Sequence, residues 1–134
     1  DYALEYRDIM RNHDMSTIFL AAPTSTDERL ALIGEACDTF VYYISRLGVT
    51  GERVSLSDNL RSAVARVREK TGKPVAVGFG ISTPDHAHDV AELAEGVVVG
   101  SAIVRIIAKA NGVPETVQQV AEFSEALAKA VKGI

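Results

Sequence analysis

The amino-acid sequence predicts an α/β fold: a parallel sheet whose strands alternate with helices. Three observations carry this. Four short β-rich runs, Thr17–Ala21, Phe40–Ile44, Val75–Val77 and Gly96–Val99, are almost continuously apolar rather than alternating, the pattern of strands covered on both faces as in parallel sheets. Between them, apolar residues recur at helical spacing behind recognisable start signals. Successive runs begin about 20 to 35 residues apart, which leaves room for a helical crossover. The resulting order, α-β-α-β-α-β-α-β-α, demands right-handed crossovers. Two architectures satisfy it: a small open doubly wound sheet, or one half of an eight-stranded (β/α) barrel of roughly 250 residues. The 134 residues here are about half of that length.

Each element has a local cause. Ser25-Thr26-Asp27-Glu28 is an S-x-x-E capping box, whose serine and glutamate can satisfy two free N–H groups at a helix start. Behind it Leu30, Ile33 and Cys37 recur with the helical period, giving a helix over Asp27–Cys37. Leu60, Val64 and Val67 mark the buried stripe of a helix from Asn59 to Lys70, stopped by Gly72-Lys73-Pro74. Ser82-Thr83-Pro84-Asp85 supplies a cap with proline at the first helical position, where its missing N–H costs nothing, and that helix extends to about Leu93. A further helix opens at Ser101 and stops at Asn111-Gly112, with Pro114 beyond. The last, from about Glu115 to Val131, presents Val117, Val120, Ala121, Ala128 and Val131 as its buried stripe. No linker or low-complexity stretch divides the chain, so residues 1–134 are expected to form a single domain.

Composition excludes several function classes. With 14 basic and 18 acidic residues the net charge is −4, and no Lys/Arg cluster offers a footprint for nucleic acid or an anionic membrane. A chain of this size buries roughly two-thirds of its unfolded surface, enough for a core without disulfides or metal. Cys37 is the single cysteine and cannot form an internal disulfide. The sequence contains neither a leader pattern nor a run of about 18 apolar residues, so a soluble, cytoplasmic protein is expected.

Three of the four strands are followed at once by glycine. After the second comes Ser45-Arg46-Leu47-Gly48-Val49-Thr50-Gly51, after the third Gly78-Phe79-Gly80, and after the fourth Gly100-Ser101 opening a helix. Glycine lets the backbone approach an anion without a Cβ in the way, and a helix start offers unpaired N–H groups at the positive end of its dipole. In a (β/α) barrel the loops after the last two strands, with a helix N-terminus, form the usual phosphate cradle. Singly, each site also serves as an ordinary tight turn or cap; jointly they point to an anion site. A G-x-G-x-x-G motif is absent, which argues against a dinucleotide fold.

Tyr42 to Gly51, Val77-Gly78-Phe79-Gly80-Ile81-Ser82 and Val98-Val99-Gly100-Ser101-Ala102-Ile103-Val104, in this order and spacing, closely resemble the C-terminal half of the tryptophan synthase alpha chain family. The resemblance covers Thr17 to the C-terminus, and Tyr6 to Met15 resembles the family's fourth helix. It implies a half (β/α)₈ barrel of the TIM type, holding the family's strands five to eight. It also implies cleavage of indole-3-glycerol phosphate to indole and glyceraldehyde 3-phosphate by a retro-aldol reaction, with indole passing to a pyridoxal-phosphate beta chain. Carried over by position, Gly51, Gly78, Phe79, Gly80, Gly100 and Ser101 match the phosphate and substrate site. Tyr42 matches a tyrosine lining the pocket, and Arg46 and Thr50 fall in the mobile loop that closes over substrate. No cofactor or metal is implied for this chain.

The family's catalytic glutamate and aspartate belong to its second strand and the following loop, segments with no counterpart here, so the chain carries none of the catalytic residues. Asp1 and Glu5 lie a helix before the first strand, and Asp27 and Glu28 belong to a cap. His13, His86 and His88 are expected to be solvated, because a His-x-His spacing cannot put both rings on one helical face. Cys37 reads as a small core residue. Tyr42 and Tyr43 point to opposite sides of their strand, and the resemblance assigns Tyr42 to the ligand. Open strand edges predict self-association or pairing with a missing N-terminal half. Three functions remain open: a lyase completed by that half, a phosphate-binding half barrel without turnover, or another phosphate-binding barrel enzyme acting on indole- or anthranilate-linked sugars. Beta-chain contact would fall on the loop at Ala22-Pro23-Thr24.

Overall fold

The computed structural model describes residues 2–45, 53–78 and 80–133, with residues 53–57 described by their backbone alone. Its elements are α1 (Tyr2–Arg11), β1 (Leu20–Ala21), α2 (Asp27–Ala36), β2 (Val41–Ile44), α3 (Arg53–Thr71), β3 (Val75–Gly78), α4 (Pro84–Ala91), β4 (Gly96–Val98), α5 (Ser101–Lys109) and α6 (Val113–Lys132). The four strands form one sheet in the order β1-β2-β3-β4, every pair parallel. Sequential neighbours joined by helical crossovers are the half-barrel arrangement, and the doubly wound alternative falls away.

Register explains which side chains share a face. Leu20, Tyr42, Ala76 and Gly96 stand in one row across the sheet, and Ile44, Gly78 and Val98 in the next. Ala21, Val41, Tyr43, Val75 and Val77 point the other way and are buried, with Leu30 and Ile33 of α2, Val64 and Val67 of α3, and Val90 of α4 in the same core. The two faces are therefore unequal. Strands covered on both faces were expected; among the described residues Leu20 is exposed, and Tyr42, Ile44 and Val98 are half-buried on the side away from the helices. The apolar run needs a second cover because a barrel strand faces helices outside and other strands' side chains inside. Four strands supply only the first of these.

Helix ends show how local signals compete. The cap of α2 is Thr26, whose hydroxyl accepts the Arg29 N–H at 3.2 Å, rather than Ser25 of the expected capping box. Ser25 Oγ instead accepts the Ala22 N–H at 3.1 Å and its own N–H donates to Ala22 O at 2.9 Å, closing the turn after β1. Thr83 caps α4 with Pro84 in its first turn, as the sequence requires. Helix α3 ends in Gly72 at φ +64°, a left-handed position that favours glycine. Gly34 holds α2 against the end of α3, for a Cβ there would lie 2.3 Å from Thr71 O.

Helix α6 corrects the expected stripe. Leu127 is its buried residue and Phe123 packs beside it, whereas Val117, Ala121, Ala128 and Val131 are exposed. Val120 is half-buried. Pro114 lies inside the first turn of α6, following Gly112 at φ +96°.

Candidate functional site

All four strands run the same way, so their C-terminal ends share one rim. Of the glycine-rich segments found in the sequence, Gly78, Gly80 and Gly100-Ser101 lie on this rim. At β3, a Cβ on Gly78 would stand 2.5 Å from both Cε2 and Oη of Tyr42, so the phenol of β2 lies across Gly78 on the open face. Gly78 O accepts two hydrogen bonds from Ser45, from its N–H at 3.0 Å and its hydroxyl at 3.1 Å. Ser45 is buried, and it ties the ends of β2 and β3 together just where the glycine segment after β3 leaves the sheet. Composition gave no reason to single out Ser45; its signal was a lone hydroxyl ending an apolar strand.

Gly80 adopts φ +79°, which lets the chain turn sharply and drive Ile81 back into the core. Gly100 is different in kind. A Cβ there would meet nothing within 4 Å. Packing does not demand glycine at this position. It precedes α5, whose start has no side-chain cap and no acidic residue in its first turn, and Ser101 is exposed beside it. Donor N–H groups, a positive dipole end and a bare backbone converge there, which suits a phosphate dianion.

Tyr42, Gly78, Gly80, Gly100 and Ser101 thus all lie at this rim or on its open face. Arg46, Thr50, Gly51 and Phe79, the other expected site residues, lie outside the described residues. Asp38 and Glu95 are elsewhere. Asp38 accepts from the Thr17 N–H at 2.7 Å and from Arg11 Nε at 2.7 Å, and these bonds hold its pKa at about 2. Glu95 accepts the Val75 N–H at 2.7 Å; partial burial raises its pKa, but that bond and Arg68 outweigh the effect and leave it lowered. Both clamp the opposite, N-terminal edge of the sheet, where residues serve stability in barrels of this kind. Asp27 is occupied by Arg66 and Lys70.

The remaining candidates are structural. Cys37 is buried, accepts the Phe19 N–H on its sulfur at 3.1 Å, and burial pushes its thiol pKa up. His88 is exposed, yet it is more than a solvated side chain, since its Nδ1 lies 3.0 Å from Ala130 O at the end of α6. Among the described residues no cluster of His, Cys, Asp or Glu could hold a metal ion, and no helix is long and apolar enough to cross a membrane.

The profile of one family, the tryptophan synthase alpha chain, matches residues 1–132. The chain belongs to that family. The tryptophan synthase alpha chain of Pelobacter propionicus is 46% identical over 120 residues, covering 90% of this chain and 45% of that protein. Among solved structures, the tryptophan synthase A-subunit of Pyrococcus furiosus superposes with a TM-score of 0.74 at 38% identity, over 95% of this chain and 50% of that one. Tryptophan synthase from M. tuberculosis gives a TM-score of 0.76 at 32% identity, over 98% of this chain and 46% of that one. The chain therefore spans about half the length of the relatives it matches.

Proposed function

We propose that this chain is the phosphate-holding half of a carbon–carbon lyase that cleaves indole-3-glycerol phosphate to indole and glyceraldehyde 3-phosphate, in tryptophan biosynthesis in the cytoplasm. The observation that carries the reading is Gly100, a glycine that packing does not require, at the start of α5, which has no side-chain cap, and one strand away from the left-handed Gly80. In this role Gly80, Gly100 and Ser101 receive the phosphate, with Gly51, Gly78 and Phe79 completing the cradle. Tyr42 lines the pocket for the indole ring, and Arg46 and Thr50 close over the bound substrate.

Proton transfer falls to carboxylates of the family's N-terminal half. General acid–base groups contribute roughly 10²–10⁴-fold each and act only within hydrogen-bond reach. No strand residue among those described is a carboxylate, and the acidic clamps Asp38 and Glu95 sit at the far edge. Indole would pass to the pyridoxal-phosphate beta chain, with the turn at Ala22-Pro23-Thr24 as part of the contact; the cofactor belongs to that partner.

The test is indole release from indole-3-glycerol phosphate by the purified chain, alone and mixed with the separately produced N-terminal half of a relative. Release on mixing alone is the expected result. The carboxylate-free strands also favour a second reading, a phosphate-binding half barrel without turnover, which phosphate binding without release in the mixture would support. Release by the chain alone would overturn the assignment of the proton-transfer groups.

A further inference from the structure

Ser45 carries a buried hydroxyl for which the sheet itself has no use. It follows the last residue of β2 and is 4% exposed. Its side chain donates to Gly78 O at 3.1 Å, and its own N–H donates to the same oxygen at 3.0 Å. The N–H alone completes the ladder between β2 and β3, which pair in parallel as far as Ile44 and Gly78. The hydroxyl is therefore a second donor on an acceptor that already has one, and alanine would occupy the same place without the cost of burying a polar group. The other two buried hydroxyls among the described residues have different tasks. Thr17 Oγ donates to Ala36 O at 2.8 Å and Thr71 Oγ to Val67 O at 2.7 Å, so both fasten helix ends at the N-terminal edge of the sheet, away from the glycine turns.

From this surplus bond we infer that Ser45 is a positioning residue of the anion site, whose hydroxyl holds the backbone at the end of β3 in the form that a phosphate dianion meets. The inference rests on the reading of this rim as a phosphate cradle. A carbonyl oxygen has two lone pairs, and the two Ser45 donors engage both. Gly78 O is thereby committed to Ser45 and withdrawn as an acceptor, so its negative end is not offered to an incoming anion. The paired bonds also supply stiffness where the chain has little of its own. Gly78 and Gly80 lie two residues apart, and glycine has the widest choice of backbone angles. Gly80 must keep φ near +79° for Ile81 to return to the core. The peptide unit that opens this turn is planar, so fixing Gly78 O fixes its orientation. A ligand that finds the turn already in place loses less order on binding, which strengthens its affinity. Ser45 acts through the Gly78 peptide rather than on the ligand.

The test is a calorimetric titration of glycerol 3-phosphate into the wild-type chain, Ser45→Ala, Ser45→Thr and Thr71→Ala, with folding of each checked by far-UV circular dichroism. Ser45→Ala keeps the N–H bond to Gly78 O and should weaken binding about fivefold, the equivalent of one hydrogen bond. Ser45→Thr retains the donor and should bind as the wild type does. Thr71→Ala also removes one buried hydroxyl, but at the far edge, and should leave the affinity unchanged although it lowers stability to a similar extent. Wild-type affinity in Ser45→Ala overturns the inference and leaves the phosphate reading in place. Equal losses in Ser45→Ala and Thr71→Ala overturn it as well, because they reduce the role of Ser45 to general stability. So does a folded Ser45→Thr that binds as weakly as Ser45→Ala. A folded wild-type chain that does not bind glycerol 3-phosphate overturns the phosphate reading itself and the inference with it.

Discussion

Gly78→Ala probes the contact that shapes the open face of the sheet. The new Cβ would lie 2.5 Å from two atoms of the Tyr42 ring and 2.9 Å from a third, where ordinary contact needs 3.4–4 Å. The ring must therefore retreat by about 1 Å, or β3 must. Overpacking of this kind costs about 1–3 kcal/mol. Alanine regains about 0.5–1 kcal/mol over glycine in a strand by restricting the unfolded chain, so the net loss should be about 0.5–2 kcal/mol. In a Tyr42→Ala background the steric part vanishes, and the same substitution should stabilise by about 0.5–1 kcal/mol. The sign thus inverts, and the coupling between the two sites is about 1–3 kcal/mol. Urea unfolding followed by circular dichroism reads this directly: with a slope of about 1–3 kcal/mol/M, the midpoint should move by roughly 1 M between backgrounds. An equal effect of Gly78→Ala in both backgrounds would refute the argument, because it would show that the Tyr42 ring does not occupy the space above Gly78.

Other outcomes test the remaining contacts. Gly100→Val should still fold, with a loss of about 0.5–1 kcal/mol for the poorer N-cap, yet lose binding of glycerol 3-phosphate in a calorimetric titration, while Ser101→Ala should weaken it by about 1 kcal/mol, or fivefold, for one lost hydrogen bond. Gly34→Ala places a Cβ 2.3 Å from the backbone oxygen of Thr71, where no flexible side chain can yield, so a loss of about 1–3 kcal/mol is expected in urea unfolding despite alanine's better helix propensity. Asp38 has a folded pKa of about 2, below its ordinary 3.8, so its stabilising contribution is complete above about pH 4 and is lost as pH falls towards 2. The urea midpoint should therefore drop between pH 5 and 3, and Asp38→Asn should show a smaller drop.

Much of this protein was legible along the chain because its causes are local. The stripes Leu30-Ile33-Cys37 and Leu60-Val64-Val67, the Gly72 stop and the Thr83-Pro84 start all depend on residues within a turn or two, and all are observed as read. The glycine-rich strand ends carried the family for the same reason, since their motifs are runs of consecutive residues. Cap choice at Thr26 over Ser25 was not legible, because the turn after β1 competes for the serine hydroxyl. The buried face of α6 was not legible either. Its apolar residues spread over two faces, and only docking on α4 selects Phe123 and Leu127 while leaving Val117 and Val131 outside.

By itself, then, the sequence determined the order of elements, the parallel sheet, the family and the position of its glycine-rich turns, all consequences of short-range period and backbone chemistry. Tertiary structure alone decided that Tyr42 lies over Gly78, that Ser45 binds Gly78 O, and that the acidic residues Asp38 and Glu95 clamp the edge away from the site. It also decided which apolar surface stays open. These depend on residues 20 to 36 positions apart meeting in space, and no local pattern encodes which of several apolar faces finds a partner.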